Sequence, residues 1–241
     1  MKVAAYQAPL LPSGSMEALD LVRDRVKYCE REGIEILCCP EAILGGLADD
    51  AVDPTAIAIG TSNGQLQTML APLASKSVTT IVGFTERDEA GRLFNAAAVV
   101  RQQAVVGLYR KRFPAIRRSV YSPGNASPLF TIGLLTFGIM ICNDTNHPEL
   151  AADIAARGAT VAFVPTNNAL PPDRADVLAL TRAVDVARST ENRLLIVRAD
   201  VAGRSVDRIS FGSSAIVAAD GRVLRSAKLF SEDILVAEVA G

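Results

Sequence analysis

This chain carries one histidine, His147, and no tryptophan, so a metal site built from several imidazoles is excluded and any His-dependent nucleophile must use that residue. Net charge is nearly absent: 25 Lys and Arg stand against 26 Asp and Glu. A balance of -1 supplies no general field for a nucleic-acid backbone. The four cysteines, Cys29, Cys38, Cys39 and Cys142, contain no CxxC spacing and form no dense disulfide framework, which fits a reducing compartment. The N-terminus turns polar at Tyr6 and Gln7, too early for a signal peptide's apolar region, so a cytoplasmic location is expected. The longest nearly uncharged stretch, Pro128 to Cys142, is broken by Thr131, Gly133, Thr136 and Gly138 into strand-length pieces, and no membrane span is expected. No Ser/Gly-rich linker, charge run or tandem repeat divides the 241 residues.

What remains is 49% hydrophobic residues arranged in a strand and helix rhythm. Residues 2–8 read as a strand, and 15–31 carry apolar positions at helical spacing, with Ser13 or Ser15 as N-cap. Residues 33–40 form a buried strand stopped by Pro40. A helix over 63–75 and strands at 78–85, 93–100 and 103–109 follow. Beyond an irregular Arg- and Pro-rich region come strands at 128–132 and 136–142, a helix from Pro148 to Gly158, a strand at 159–165 and a long helix at 173–192. Strands at 194–200, 212–218, 222–227 and 233–239 close the chain, which reads as one α/β domain over 1–241.

Glu41, Lys111 and Cys142 fall where strands end, the place at which α/β proteins form ligand crevices. Cys142 ends an apolar strand just ahead of a helix N-terminus, a setting that favours a reactive thiol, although a buried small hydrophobe fits the same position. Lys111 follows Arg110 and precedes Arg112, so local sequence equally describes a solvated charge. Cys29, on a helical stripe, and Cys38 and Cys39, in a buried strand, read as core.

Distinctive blocks are spread over nearly the whole chain. They comprise the opening strand ending in Gln7, Cys39-Pro40-Glu41, Gly91-Arg92-Leu93-Phe94-Asn95 and Tyr109-Arg110-Lys111. Tyr121-Ser122-Pro123-Gly124, Cys142-Asn143-Asp144 with Pro148-Glu149, Ala187-Arg188 with Glu191-Asn192, and Phe211-Gly212-Ser213-Ser214 complete the set. In order and spacing these blocks resemble the nitrilase superfamily of carbon–nitrogen hydrolases. The resemblance implies a four-layer α-β-β-α sandwich with Glu41, Lys111 and Cys142 as a catalytic triad. It also implies hydrolysis of a small amide, carbamoyl compound or nitrile through a cysteine thioester, with no cofactor and no metal. Asn143, Thr166, Asn167 and Asn168 are the expected substrate-binding residues, with Arg174 a further candidate for a substrate carboxylate. The expected partner is a small-molecule substrate, not a nucleic acid or a membrane, and the 173–192 helix is the expected surface of a homodimer or higher homo-oligomer.

Two departures stand out. Many members carry a second glutamate six residues before the Pro-Gly pair, where this chain has Arg117, and the family's aromatic block before the long helix is replaced by Leu170-Pro171-Pro172-Asp173-Arg174. Asn143 resembles carbamoylase-like members whereas Asn146 resembles aliphatic amidases. These departures keep open a second reading, a catalytically weak binding or scaffold protein. His147 stands where the family pattern usually has a packing aromatic, so a Cys–His pair is not expected.

Overall fold

The computed structural model describes residues 1–62, 64–116, 118–172, 174, 176–205 and 208–239. The chain opens with β1 (Lys2–Pro9), α1 (Glu17–Glu32), β2 (Ile36–Cys38), β3 (Ile59–Gly60), α2 (Gln65–Leu70), β4 (Thr79–Arg87), β5 (Leu93–Arg101) and β6 (Ala104–Arg110). A second series comprises β7 (Phe130–Ile132), β8 (Leu135–Ile139), α3 (Pro148–Ala156), β9 (Val161–Pro165), α4 (Val177–Asn192) and β10 (Leu195–Ala199). It closes with β11 (Val201–Arg204), β12 (Ile209–Phe211), β13 (Ala215–Val217), β14 (Val223–Ser226) and β15 (Asp233–Glu238).

One sheet runs β12-β11-β1-β2-β4-β5-β6, with β15 antiparallel to β1 and β3 beside β4, and the other runs β14-β13-β10-β9-β8-β7. Both are parallel at their centres, through β1–β2–β4 and β8–β9–β10. Strand alternation explains the layering, because successive side chains point to opposite faces. In β1, Ala4, Tyr6 and Ala8 meet Ala18, Val22, Val26 and Cys29 of α1. Val3 and Ala5 on the other face meet Phe137, Ile139, Phe163 and Val197 of the second sheet. That sheet's far face, with Ala162, Val164 and Ile196, is covered by Leu150, Ala151 and Ile154 of α3. Three apolar layers therefore separate four structural layers, helix, sheet, sheet and helix, as the family resemblance implies.

Local chemistry sets the element ends. Residues 18, 22, 26 and 29 give α1 its buried stripe, the Ser15 hydroxyl accepts the Glu17 N–H at 3.2 Å, and Gly33 takes the left-handed conformation (φ 66°) that ends the helix. The helix expected over 63–75 is shorter, since Pro72 lacks an N–H and the chain tightens into a 3-10 turn at Ala71–Leu73. The long helix begins at Val177 rather than at 173, after Pro171-Pro172, and Asp173 itself lies outside the described residues. β11 and β12 were not expected from sequence; at four and three residues they carry little strand signal, and pairing of β11 with β1 and with β12 forms the strands.

Candidate active site

Three strand ends converge. Glu41 follows β2 by three residues, Lys111 follows β6 directly, and Cys142 follows β8 by three. The main-chain N–H of Glu41 donates to the Thr166 carbonyl at 3.2 Å, tying the first sheet's loop to the end of β9. Gly83 lies against that loop so closely that a Cβ would stand 2.4 Å from the Pro40 carbonyl oxygen and 2.5 Å from the Ala42 nitrogen, so only glycine lets the Glu41 turn approach β4. Lys111 is held by its N–H to the Asn95 carbonyl and by the Gly124 N–H to its own carbonyl, each at 2.8 Å. Cys142 has φ +46°, a left-handed conformation that costs a non-glycine residue on the order of 1–3 kcal/mol.

Asp144 holds that strained turn. Its buried carboxylate accepts the Tyr109 hydroxyl at 2.7 Å, the Ile141 N–H at 2.9 Å, the Phe113 N–H at 2.9 Å and the Arg112 N–H at 3.2 Å. One side chain thus fixes the segments bearing Cys142 and Lys111 together. Burial raises its carboxyl above the usual range, opposed by the Lys111 charge and these hydrogen bonds.

Glu41 and Lys111 form a buried ion pair, with Nζ 2.6 Å from Oε1, and are 2% and 4% exposed. Asn95 Nδ2 donates to the same oxygen at 2.7 Å and the Asn167 N–H donates to Oε2 at 2.9 Å. Burial works against the Lys111 ammonium, but the Glu41 charge, the neighbouring Cys142 and Asp144 and the hydrogen bond to Glu41 together outweigh it and hold the pKa above the ordinary lysine value. Burial pushes the Cys142 thiol up to about 12, with the Glu41 charge adding to the effect and Lys111 and Arg198 opposing it. The thiol is therefore protonated near neutral pH.

Glu41, Lys111, Cys142, Asn143, Asn167 and Asn168 all line one cavity of about 580 Å³. Leu47, Ile116, Leu170, Val177, Leu180 and Val184 give it apolar surface, and Asp49, Asp50, Arg208 and Arg174 line it as well, the last paired with Asp176 at 3.3 Å. Thr166 is turned away: its buried hydroxyl donates to the Val164 carbonyl and accepts from Arg198. That corrects its expected place at the substrate, because the main chain at the end of β9 points the side chain toward the buried Arg198–Asp185 pair. Asn143 Nδ2 donates to the Phe113 carbonyl at 3.1 Å, so its amide also braces the Lys111 segment. His147 stacks on Phe113, with ring centroids 3.5 Å apart. Arg117 lies outside the described residues.

Several residues around the site were not singled out from sequence. Asn95 interrupts the apolar run of β5, and a polar residue inside an otherwise buried strand is the one local signal it offers. Asp144, Asp185, Arg198 and Asp200 are buried charges whose partners are distant in sequence, and no spacing rule reveals them.

The profile of the carbon-nitrogen hydrolase family matches residues 2–240, and the chain belongs to that family. Among curated proteins it is 29% identical to a nitrilase of Pyrococcus abyssi, over 89% of this chain and 80% of that one. It is 30% identical to an (R)-stereoselective amidase of a Pseudomonas species, over 79% and 68% respectively. A glutamine-dependent NAD(+) synthetase of Thermotoga maritima is 25% identical over 93% of this chain but only 38% of its own length. The fold matches that of an amidase of the nitrilase superfamily from Nesterenkonia, with TM-score 0.84 and 21% identity over 99% of this chain and 90% of that one. Nit3 of Saccharomyces cerevisiae superposes with TM-score 0.82 and 19% identity over 98% and 89%.

Proposed function

We propose that this protein is a thiol hydrolase that cleaves the carbon–nitrogen bond of a small non-peptide amide through a thioester on Cys142. The observation that carries this reading is the opening of the Cys142 thiol and the buried Glu41–Lys111 pair into one cavity. Relatives named nitrilase and amidase support it.

The raised thiol must lose its proton during attack, and Glu41 is the base. Two donors occupy Oε1 and one occupies Oε2, which leaves a lone pair on Oε2 to take the proton. As sulfur bonds to the carbonyl carbon, negative charge moves to the carbonyl oxygen, where the Lys111 ammonium and the Asn143 N–H stabilise it. Collapse of the tetrahedral adduct breaks the carbon–nitrogen bond, and the nitrogen leaves with the proton held by Glu41. Water then attacks the thioester while giving a proton to Glu41. Breaking the carbon–sulfur bond releases the acid, and that proton returns to sulfur.

Lys111 uses one N–H on Glu41 and keeps two for the oxyanion. The Arg198–Asp185 pair closes the site from the α4 side, with Arg198 also donating to Thr145 and Thr166. On α4 only Asp185 and Ser189 are buried while Leu180 is exposed, and we propose this helix as the surface through which two copies pair. The activity is tested by an ammonia-release screen across aliphatic amides, ω-amides, carbamoyl amino acids and nitriles. Ammonia from an amide, absent from a Cys142→Ala control, is expected. Inertness toward all four classes contradicts the reading.

A further inference from the structure

We infer that Asn168 reads the leaving nitrogen of a primary amide, and that Ser213 and Asp200 are positioning residues that fix its amide in the one orientation able to do so. The inference rests on the thiol-hydrolase reading and narrows its substrate class. Asp200, fully buried where β10 passes into β11, accepts the N–H groups of Asn168 at 2.9 Å and Val201 at 2.8 Å on Oδ1. Its Oδ2 meets the Ser213 N–H at 2.9 Å and the Ser213 hydroxyl at 2.6 Å. Burial raises the Asp200 carboxyl and these hydrogen bonds oppose it; three of the four partners are main-chain N–H groups, which only donate, and the Ser213 hydroxyl donates as well, so Asp200 accepts throughout. The Ser213 hydroxyl therefore spends its proton on Asp200 and is left as an acceptor.

That choice propagates to the nucleophile. Ser213 Oγ accepts from Asn168 Nδ2 at 3.1 Å, and Thr181 Oγ1 lies 3.4 Å from the same nitrogen. With Nδ2 committed inward, Asn168 Oδ1 faces Cys142, whose thiol donates to it at 3.7 Å. When the thiol proton passes to Glu41, Oδ1 loses its donor on a residue that is only 8% exposed. A second acceptor at the cavity is already in that condition: Asn95 donates its Nδ2 to Glu41, and its buried Oδ1 has no partner among the described residues. A primary amide brings two N–H bonds on the nitrogen attached to the scissile carbon, whereas an ester oxygen and a nitrile nitrogen bring none. A site that buries acceptors for a substrate N–H rejects analogues lacking it, because those acceptors stay unpaired.

The experiment measures kcat/KM for acetamide through hexanamide and for the methyl esters of the same acids, with the native protein, Asn168→Leu and Ser213→Ala. The amide-to-ester ratio should fall ~10–100-fold in Asn168→Leu and ~3–10-fold in Ser213→Ala. Ser213→Ala is the milder variant, and it keeps the test informative if Asn168→Leu does not fold. An unchanged ratio in a folded variant, including a parallel loss on both substrate series, overturns the inference and leaves the thiol-hydrolase reading standing. A native protein that transfers no acyl group from either series and releases no ammonia from any of the four substrate classes overturns both.

Discussion

Cys142→Ala should abolish amide hydrolysis, with kcat falling by on the order of 10⁴-fold or more, as expected when the nucleophile of a covalent mechanism is removed. Stability should hold or rise. Cys142 occupies a left-handed conformation that alanine tolerates no worse, and its long thiol contact to Asn168 is the only hydrogen bond made by its side chain among the described residues. Thermal denaturation together with steady-state ammonia release separates the two quantities. Cys142→Ser should be nearly as inactive. The site raises the thiol to about 12 by burial, and a hydroxyl, a weaker acid from the outset, is still harder for Glu41 to deprotonate. Retention of even a tenth of native turnover in Cys142→Ala would remove the residue from the chemistry.

Glu41→Gln acts on charge and geometry together. All three groups facing the carboxylate are donors: Lys111 Nζ, Asn95 Nδ2 and the Asn167 N–H. A glutamine amide must turn its own NH2 toward one side, setting donor against donor, and Lys111 becomes a buried ammonium without a counter-charge. Breaking such a pair costs about 3–5 kcal/mol. Activity should fall by ~10²–10⁴-fold, the usual contribution of a positioned base, beyond any loss of folded protein.

With Glu41 gone, burial of Lys111 is opposed only by weaker neighbours, so its pKa falls from above the ordinary lysine value toward or below it. In the native protein the raised pKa makes the lysine's contribution to stability fully present below the unfolded lysine value. That contribution is lost as pH rises through the folded one. The destabilisation of Glu41→Gln relative to the native protein should therefore be largest near neutral pH and narrow as pH rises through the alkaline range, which denaturation midpoints report.

The site was legible where sequence order and space coincide. Glu41, Lys111 and Cys142 each follow a strand recognisable from its own hydrophobic pattern, so their strand-end positions could be read before their proximity was known. The α1 stripe was legible in the same local way, whereas the four-layer stacking was implied by the family resemblance. What could not be read are orientations set by tertiary partners. Thr166 lies in the right segment, yet its side chain turns to Arg198, 32 residues away. Asn95 reads as a flaw in a strand until Glu41, 54 residues away, is placed beside it. Asp144 stands two residues after the nucleophile in sequence, but its role in joining the Cys142 turn to the Lys111 segment depends on Tyr109, Arg112 and Phe113.

The central claim is that acyl transfer passes through a thioester on Cys142, and partitioning with hydroxylamine tests it most directly. The native protein hydrolyses a primary amide and the N-methyl amide of the same acid at a fixed hydroxylamine concentration, and the ratio of hydroxamate to free acid is measured for each. A shared acyl-enzyme predicts one ratio for both substrates, because the leaving amine has departed before water and hydroxylamine compete. A ratio that depends on the leaving group, or hydrolysis that hydroxylamine cannot divert, would contradict the thioester and the account built on it.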